Sequence, residues 1–263
     1  MNFHKYVGCG NDFILFDARR DVPDLDIPRL CHRQNGIGAD GVILLQKSDP
    51  CDYRMSIFNA DGSEAEMCGN GIRCLGLFLR HLQERREEVT IETLAGPYKI
   101  VIGEDAVSVN MGAPTQVEFD IELEKFTVDY LDTGVPHAVV VVDDARLFPL
   151  ENEGKWIRHH TRFSPRGVNV TVASPGQSGF YFRTYERGVE AETLACGTGA
   201  CAAAFVLKQR LNINGPMMMI SMAGESIEIS FSGDQLMMKG PAKHVFSGQF
   251  KEIEKVDAFS VFR

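Results

Sequence analysis

The chain has 263 residues, 44% hydrophobic and 24% charged, with a formal net charge of −9. That length suits two domains of ordinary size, and the absence of a long basic run excludes a nucleic-acid footprint, which needs clustered lysine and arginine. A local site for an anionic small molecule stays compatible with the net charge. Nothing resembles the apolar core of a secretory signal, and the longest aliphatic run, around Val139–Val142, is far too short to span a bilayer. No membrane partner is expected. Seven cysteines, an odd number in a long chain without such a signal, read as reduced thiols in a cytoplasmic protein rather than a disulfide frame.

In chain order, Phe13–Phe16 predicts a strand, Ile27–Arg33 a short helix, and Val42–Gln46 and Tyr53–Phe58 two further strands. From Ile72 to Leu82 apolar residues occupy nearly every face, the pattern of a buried helix. Val89–Glu92, Tyr98–Ile102 and Ala106–Asn110 follow as strands. The Glu118–Lys125 stretch and the proline-containing run before it are the expected linker. The second half repeats this grammar. Ala138–Val142 and Phe180–Tyr185 are strands, Ala200–Leu211 is a helix rich in small residues, and Met217–Met222, Ser226–Phe231 and Gln235–Lys239 are strands.

The repetition extends to the letters. "CGNGIRC" at Cys68 recurs as "CGTGAC" at Cys196, "LAG" at Leu94–Gly96 as "MAG" at Met222–Gly224, and "VNMGAP" at Val109–Pro114 as "LMMKGPA" at Leu236–Ala242. Cys68, Gly96 and Gly112 each lie 128 positions before their counterparts Cys196, Gly224 and Gly240. A constant offset implies an α/β (α+β) protein of two pseudo-symmetric units. Each would be a curved or barrel-like sheet around one central apolar helix. The expected domains are residues 1–116, carrying Cys68, and 117–263, carrying Cys196, with the last strand able to return to the first half.

Each cysteine sits between a turn and a helix start, framed by glycines that open the backbone N–H groups to a ligand. A helix N-terminus offers free donors and about half a positive charge, which suits a carboxylate. The same field favours a thiolate. Two facing cysteines would form a two-sided acid/base device able to invert a carbon centre. Cys74 and Cys201, further into the helices, read as core. A structural zinc site wants closely spaced cysteines, which Cys196 and Cys201 approach, but no histidine or third cysteine follows at ligand spacing. "GIGADG" at Gly36–Gly41 fits the letters of a dinucleotide fingerprint, but a strand follows it instead of a helix, so its glycines end a helix and turn the chain.

"GNDF" (Gly10–Phe13), "FNADGSEAEMCGNGIRC" (Phe58–Cys74), "GVPH" (Gly134–His137), "YERG" (Tyr185–Gly188) and "ETLACGTGACA" (Glu192–Ala202) occur in order through the whole chain. Together they resemble the diaminopimelate epimerase family. The related proline racemases typically carry a histidine where this chain has Asn70. The resemblance implies epimerisation of LL-2,6-diaminopimelate to the meso form with no cofactor and no metal. One cysteine acts as thiolate on one face of the α-carbon and the other as thiol on the opposite face. It assigns these roles to Cys68 and Cys196, and carboxylate binding to the N–H groups of Gly69–Asn70 and Gly197–Thr198. His137 and Glu186 would tune the thiols and hold the reacting amino group. Asn11, Asn59, Asn169 and Arg187 would hold the substrate, Arg187 by a bidentate grip on a carboxylate. Members of the family are often homodimers. Two positions depart from some members, which have a glutamine at Gly41 and an asparagine at Val135. A broader amino-acid racemase is the alternative reading, and a non-catalytic amino-acid-binding protein a more distant one.

Overall fold

Alternating burial sets the strands of the first unit. In the computed structural model, which describes residues 1–249, β1 (Asn2–Gly8) and β2 (Asn11–Asp17) form an antiparallel hairpin. Helix α1 (Ile27–Cys31) starts at Asp26, whose side chain accepts the Arg29 N–H. Strand β3 (Gly41–Gln46) lies parallel to β2, and β4 (Tyr53–Asn59) returns antiparallel. The short β5 (Glu64–Ala65) leads into helix α2 (Gly69–His81). Then β6 (Glu88–Thr93) pairs parallel with β4, and β7 (Gly96–Ile102) and β8 (Ala106–Gly112) continue as a meander.

The second unit starts with β9 (Thr115–Glu122), β10 (Thr127–Asp132), β11 (Pro136–Val141) and α3 (Leu150–Arg158). Next come β12 (Asn169–Pro175), β13 (Phe180–Glu186), β14 (Ala191–Thr193) and α4 (Gly197–Leu211). It ends with β15 (Met217–Ile220), β16 (Ser226–Ser232), β17 (Gln235–Pro241) and β18 (Lys243–Gln249). Strands β10–β17 repeat the pairing pattern of β1–β8, parallel and antiparallel steps included. The flanking strands are exchanged. β9 follows the first unit but pairs with β10, and β18 follows the second unit but pairs with β1. Strands β8 and β17 pair with each other, so the two units share one hydrogen-bonded sheet system.

Each sheet curves around its own helix. Helix α2 packs against β1, β2, β7, β8 and β18, and α4 against β11, β12, β13 and β16. Ile72, Leu75, Phe78 and Leu79 are fully buried, and each such side chain contributes about 1.5–3 kcal/mol. Gly76 allows β8 to approach, since a Cβ there would lie 2.9 Å from Val107 Cγ1. Helix α4 buries Ala200, Cys201, Ala202, Ala203 and Ala204, so its sheet closes on a thin helix. It ends at Asn212, in the left-handed region at φ 51°. The mixed α/β class of two duplicated, strand-rich units around helices is the one the sequence implies.

Two sequence expectations need correction. The 118–125 stretch, expected as a linker, is mostly strand β9, and the expected boundary at 116/117 falls inside that strand. All but one of the β9 side chains are exposed, so pairing with β10, not burial, makes it a strand and no alternation marks it. Helix α3 is also unmarked, because it has no side-chain N-cap bond and carries Gly154 mid-helix.

Candidate active site

The two helix starts meet back to back. Cys68 and Cys196 are the N-cap residues of α2 and α4, both in extended conformation. Gly69 and Gly197 follow, and their backbones touch. A Cβ on Gly69 would lie 3.7 Å from the Gly197 Cα and 3.0 Å from Met238 Cε. A Cβ on Gly197 would lie 3.6 Å from the Gly69 Cα. A side chain at either glycine would press on Met238, and the two N-termini open side by side onto one cleft of about 340 Å³.

Cys68, Gly69, Asn70, Cys196, Gly197 and Thr198 line this cleft, as do Asn11, Asn59, Asn169, Glu186 and Arg187. His137 does not. It is fully buried on β11, behind Thr198. A chain of hydrogen bonds runs from the cleft inward: Cys196 Sγ to Thr198 Oγ1 (3.3 Å), Thr198 Oγ1 to His137 Nε2 (3.0 Å), and His137 Nδ1 to Thr171 Oγ1 (2.9 Å). Burial, then the nearby Arg187 charge, lowers the His137 pKa to about 3. It is a neutral imidazole that orients Thr198.

Among the polar lining residues, the Asn70 amide donates to Asn11 Oδ1 at 2.6 Å, and Asn11 donates in turn to Asp40 Oδ2 at 3.2 Å. Asn169 Oδ1 accepts the Arg187 backbone N–H at 2.8 Å. The Arg187 guanidinium has no carboxylate at ion-pair distance among the described residues and touches only the Arg166 carbonyl, at 3.5 Å. Asn59 is exposed at the rim and donates to Ser63. Gly41 is absent from the lining. A Cβ there would stand 2.4 Å from the Phe58 carbonyl oxygen, so this backbone holds no larger residue at 41. Val135 does line the cleft.

The field of the helix starts does not by itself lower the thiols, contrary to the sequence expectation. Burial pushes Cys68 up, against the N–H groups of Gly71 and Asn70 and the charge of Arg73. Burial pushes Cys196 well up, and the Glu186 carboxylate adds to this, against Thr198 and the Gly199 N–H. Glu186 is itself raised by burial, while hydrogen bonds from Thr193 (2.5 Å) and Cys196 oppose the rise. Desolvation outweighs the helix dipole here because a dipole end carries only a fraction of a charge.

Three features escaped the sequence reading. Thr193 holds Glu186, and Tyr98 and Glu66 line the cleft. Arg73 is fully buried beneath it. Its guanidinium donates to the Gly69 carbonyl (3.1 Å), Asn70 Oδ1 (2.7 Å) and Cys9 Sγ (3.0 Å), with no carboxylate at ion-pair distance among the described residues. A buried unpaired cation is costly, and in "GIRC" it reads as an ordinary helix charge until the fold is known. Cys74 and Cys201 lie in the core, raised to extreme or high pKa values by burial.

The family model for diaminopimelate epimerase matches residues 3–117 and 130–245. A diaminopimelate epimerase of Methanothrix thermoacetophila is 40% identical, covering 94% of this chain and 95% of its own. Among solved structures, a Bacillus anthracis protein of the PhzF phenazine-biosynthesis family superposes with a TM-score of 0.73 at 16% identity, covering 94% of this chain and 98% of its own. A hydroxyproline epimerase of Agrobacterium vitis gives 0.66 at 18%, with 94% and 91% covered. These two share the fold. The match of both halves and the near-full-length identity place this chain in the diaminopimelate epimerase family.

Proposed function

We propose that the protein is a diaminopimelate epimerase, an isomerase that interconverts the LL and meso forms of 2,6-diaminopimelate with two cysteines and no cofactor. The observation that carries this reading is the pair of N-cap cysteines, on duplicated helix starts, lining one cleft. The α-carboxylate of the reacting end would meet the N–H groups after Cys68 and Cys196. Charge developing on that carboxylate as the α-proton leaves would be stabilised most there. Arg187, with no carboxylate at ion-pair distance among the described residues, would grip a carboxylate. Asn11, Asn59 and Asn169 would complete the holding of the substrate.

Both thiols are held protonated by burial. In one direction Cys196 passes its proton to Glu186, takes the α-proton as thiolate, and Cys68 delivers its own proton on the other face. That leaves Cys68 as the thiolate and Glu186 protonated, and the reverse reaction runs from this state: Cys68 takes the α-proton, Cys196 delivers its own, and Glu186 returns its proton to Cys196. His137 fixes the Thr198 hydroxyl beside Cys196. The reading includes a reducing compartment, the cytoplasm, where both thiols survive, and the homodimer that the family resemblance implies. Among the described residues no helix is long and apolar enough to cross a membrane.

The test is proton NMR of meso-diaminopimelate with reduced protein in D₂O. Loss of the α-proton signal with appearance of the LL isomer is expected. Absence of exchange from folded, reduced protein would sink the reading, and exchange on another amino acid alone would move it to a broader racemase.

A further inference from the structure

Three of the seven histidines come together far from the cleft. His4 lies on β1, His81 is the last residue of α2, and His244 lies on β18. One ring nitrogen from each lies within 4.8 Å of the other two. The ring centres of His4 and His81 are 4.9 Å apart, and those of His81 and His244 5.1 Å apart. Cys68 and His81 cap opposite ends of the 13-residue α2, so about 20 Å separates the cluster from the cleft.

The local chemistry favours a cation over a packed aromatic cluster. His4 Nδ1 and His244 Nε2 both point at one atom, the Ser247 hydroxyl oxygen, at 2.8 Å each. His81 Nδ1 faces the Tyr6 hydroxyl at 3.0 Å, which leaves Nε2 to ligate. A hydrogen bond of that kind on the far nitrogen is how metal-bound imidazoles are oriented. His81 also ends its helix, where the unpaired carbonyls carry partial negative charge.

We propose that His4, His81 and His244 form a binding site for one divalent transition-metal ion of the zinc class, with water completing the coordination. Imidazole is the nitrogen ligand such ions select. Tetrahedral ligation at about 2.1 Å sets the nitrogens about 3.4 Å apart, so small side-chain rotations close the site and displace the Ser247 hydroxyl. The ion would clip β18, the strand contributed from after the second unit, onto β1 and α2 of the first. Its role would be structural and separate from the epimerase reading.

The test is calorimetric titration of Zn²⁺ into full-length, chelator-treated protein whose Cys68 and Cys196 are alkylated. His81→Gln and His244→Gln are titrated alongside, with a thermal melt for each. One ion per chain is expected, with affinity lowered at least about tenfold in either variant and a melting temperature raised by Zn²⁺ only in the parent. His81 and His244 are exposed, so both variants should fold. Co²⁺ should give a spectrum of nitrogen ligation without thiolate charge transfer. No binding, binding unchanged in both variants, or a thiolate band would each overturn the site and leave a hydrogen-bonded imidazole cluster only. None of these outcomes bears on the epimerase reading.

Discussion

The two half-sites share a backbone and differ in almost every side chain that faces a thiol. Sheet register sets the equivalences: Phe13 pairs with Gly41 as His137 pairs with Asn169, and Gly41 pairs with Asn59 on strands equivalent to those carrying Asn169 and Glu186. Around Cys68 the chain places Phe13, Ile43, Ile57, Asn59, Ala65 and Arg73. The same places around Cys196 hold His137, Thr171, Thr184, Glu186, Thr193 and Cys201. One thiol thus rests in an apolar wall with a buried cation beneath it. The other has a carboxylate and a file of hydroxyls. Duplication supplied two matching helix starts, and divergence set a cation near one thiol and a carboxylate near the other.

The largest effect should come from removing either cysteine. Cys68→Ala and Cys196→Ala should each lose roughly 10²–10⁴-fold or more in turnover. The two variants should also differ in stereochemistry. With one base left, each should wash deuterium into only one configuration of substrate, and not the same one. NMR on LL and meso substrate in D₂O reads both quantities, and wild-type epimerisation by either variant would break the two-sided model.

The next pair of variants sharpens the contrast by sign. Glu186→Gln removes the charge that raises Cys196, so Cys196 should alkylate faster at a given pH while turnover falls roughly 10²-fold for want of the base. Arg73→Met removes a charge that lowers Cys68. Cys68 should then alkylate more slowly, and turnover should fall about tenfold. Mass-spectrometric alkylation rates for each cysteine decide this, and shifts of the same sign in both variants would refute the division of labour.

Much of this frame was readable from the letters because the repeat kept its glycines. Gly69, Gly71, Gly197 and Gly199 each stand where a Cβ would come within about 3 Å of a neighbour, so the motif records geometry. The asymmetry was not readable in the same way. His137 follows a proline at a strand start, and nothing local says that it is buried behind Thr198. Arg73 looks like a surface charge within a helix until β17 covers it, with the Gly240 backbone closing over its guanidinium. Strand β9 has no alternation to read because only Ile121 among its side chains is buried. Long-range pairing decides such residues, and it leaves no periodic trace.

The glycines themselves differ between the halves. A Cβ on Gly71 would meet the mobile Cδ1 methyls of Ile57 and Ile43 at 2.9 and 3.0 Å, whereas a Cβ on Gly199 would meet Thr184 Oγ1 at 2.5 Å inside a hydrogen-bonded file. Gly199→Ala should cost about 1–3 kcal/mol of stability, and Gly71→Ala clearly less, as read by urea unfolding. The same file should make stability sensitive to acid. His137 has its pKa lowered from 6.5 to about 3, so the unfolded chain binds its proton first. That contribution is complete above about pH 6.5 and is lost as pH falls towards about 3. His137→Gln should flatten stability across this window, and an unchanged acid limb would mean that other groups set it.

The smallest effect concerns Val135, in the lining of the cleft. Val135 offers the cleft an apolar side chain. One added hydrogen bond is worth about 1 kcal/mol, so Val135→Asn should change the preference for diaminopimelate over lysine roughly fivefold. Lysine lacks the distal carboxylate but keeps the reacting end, so a change confined to KM for diaminopimelate places residue 135 against the distal end. A change in turnover on both substrates would place it at the reacting carbon instead, on the Cys196 side, where the His137 file begins two residues later.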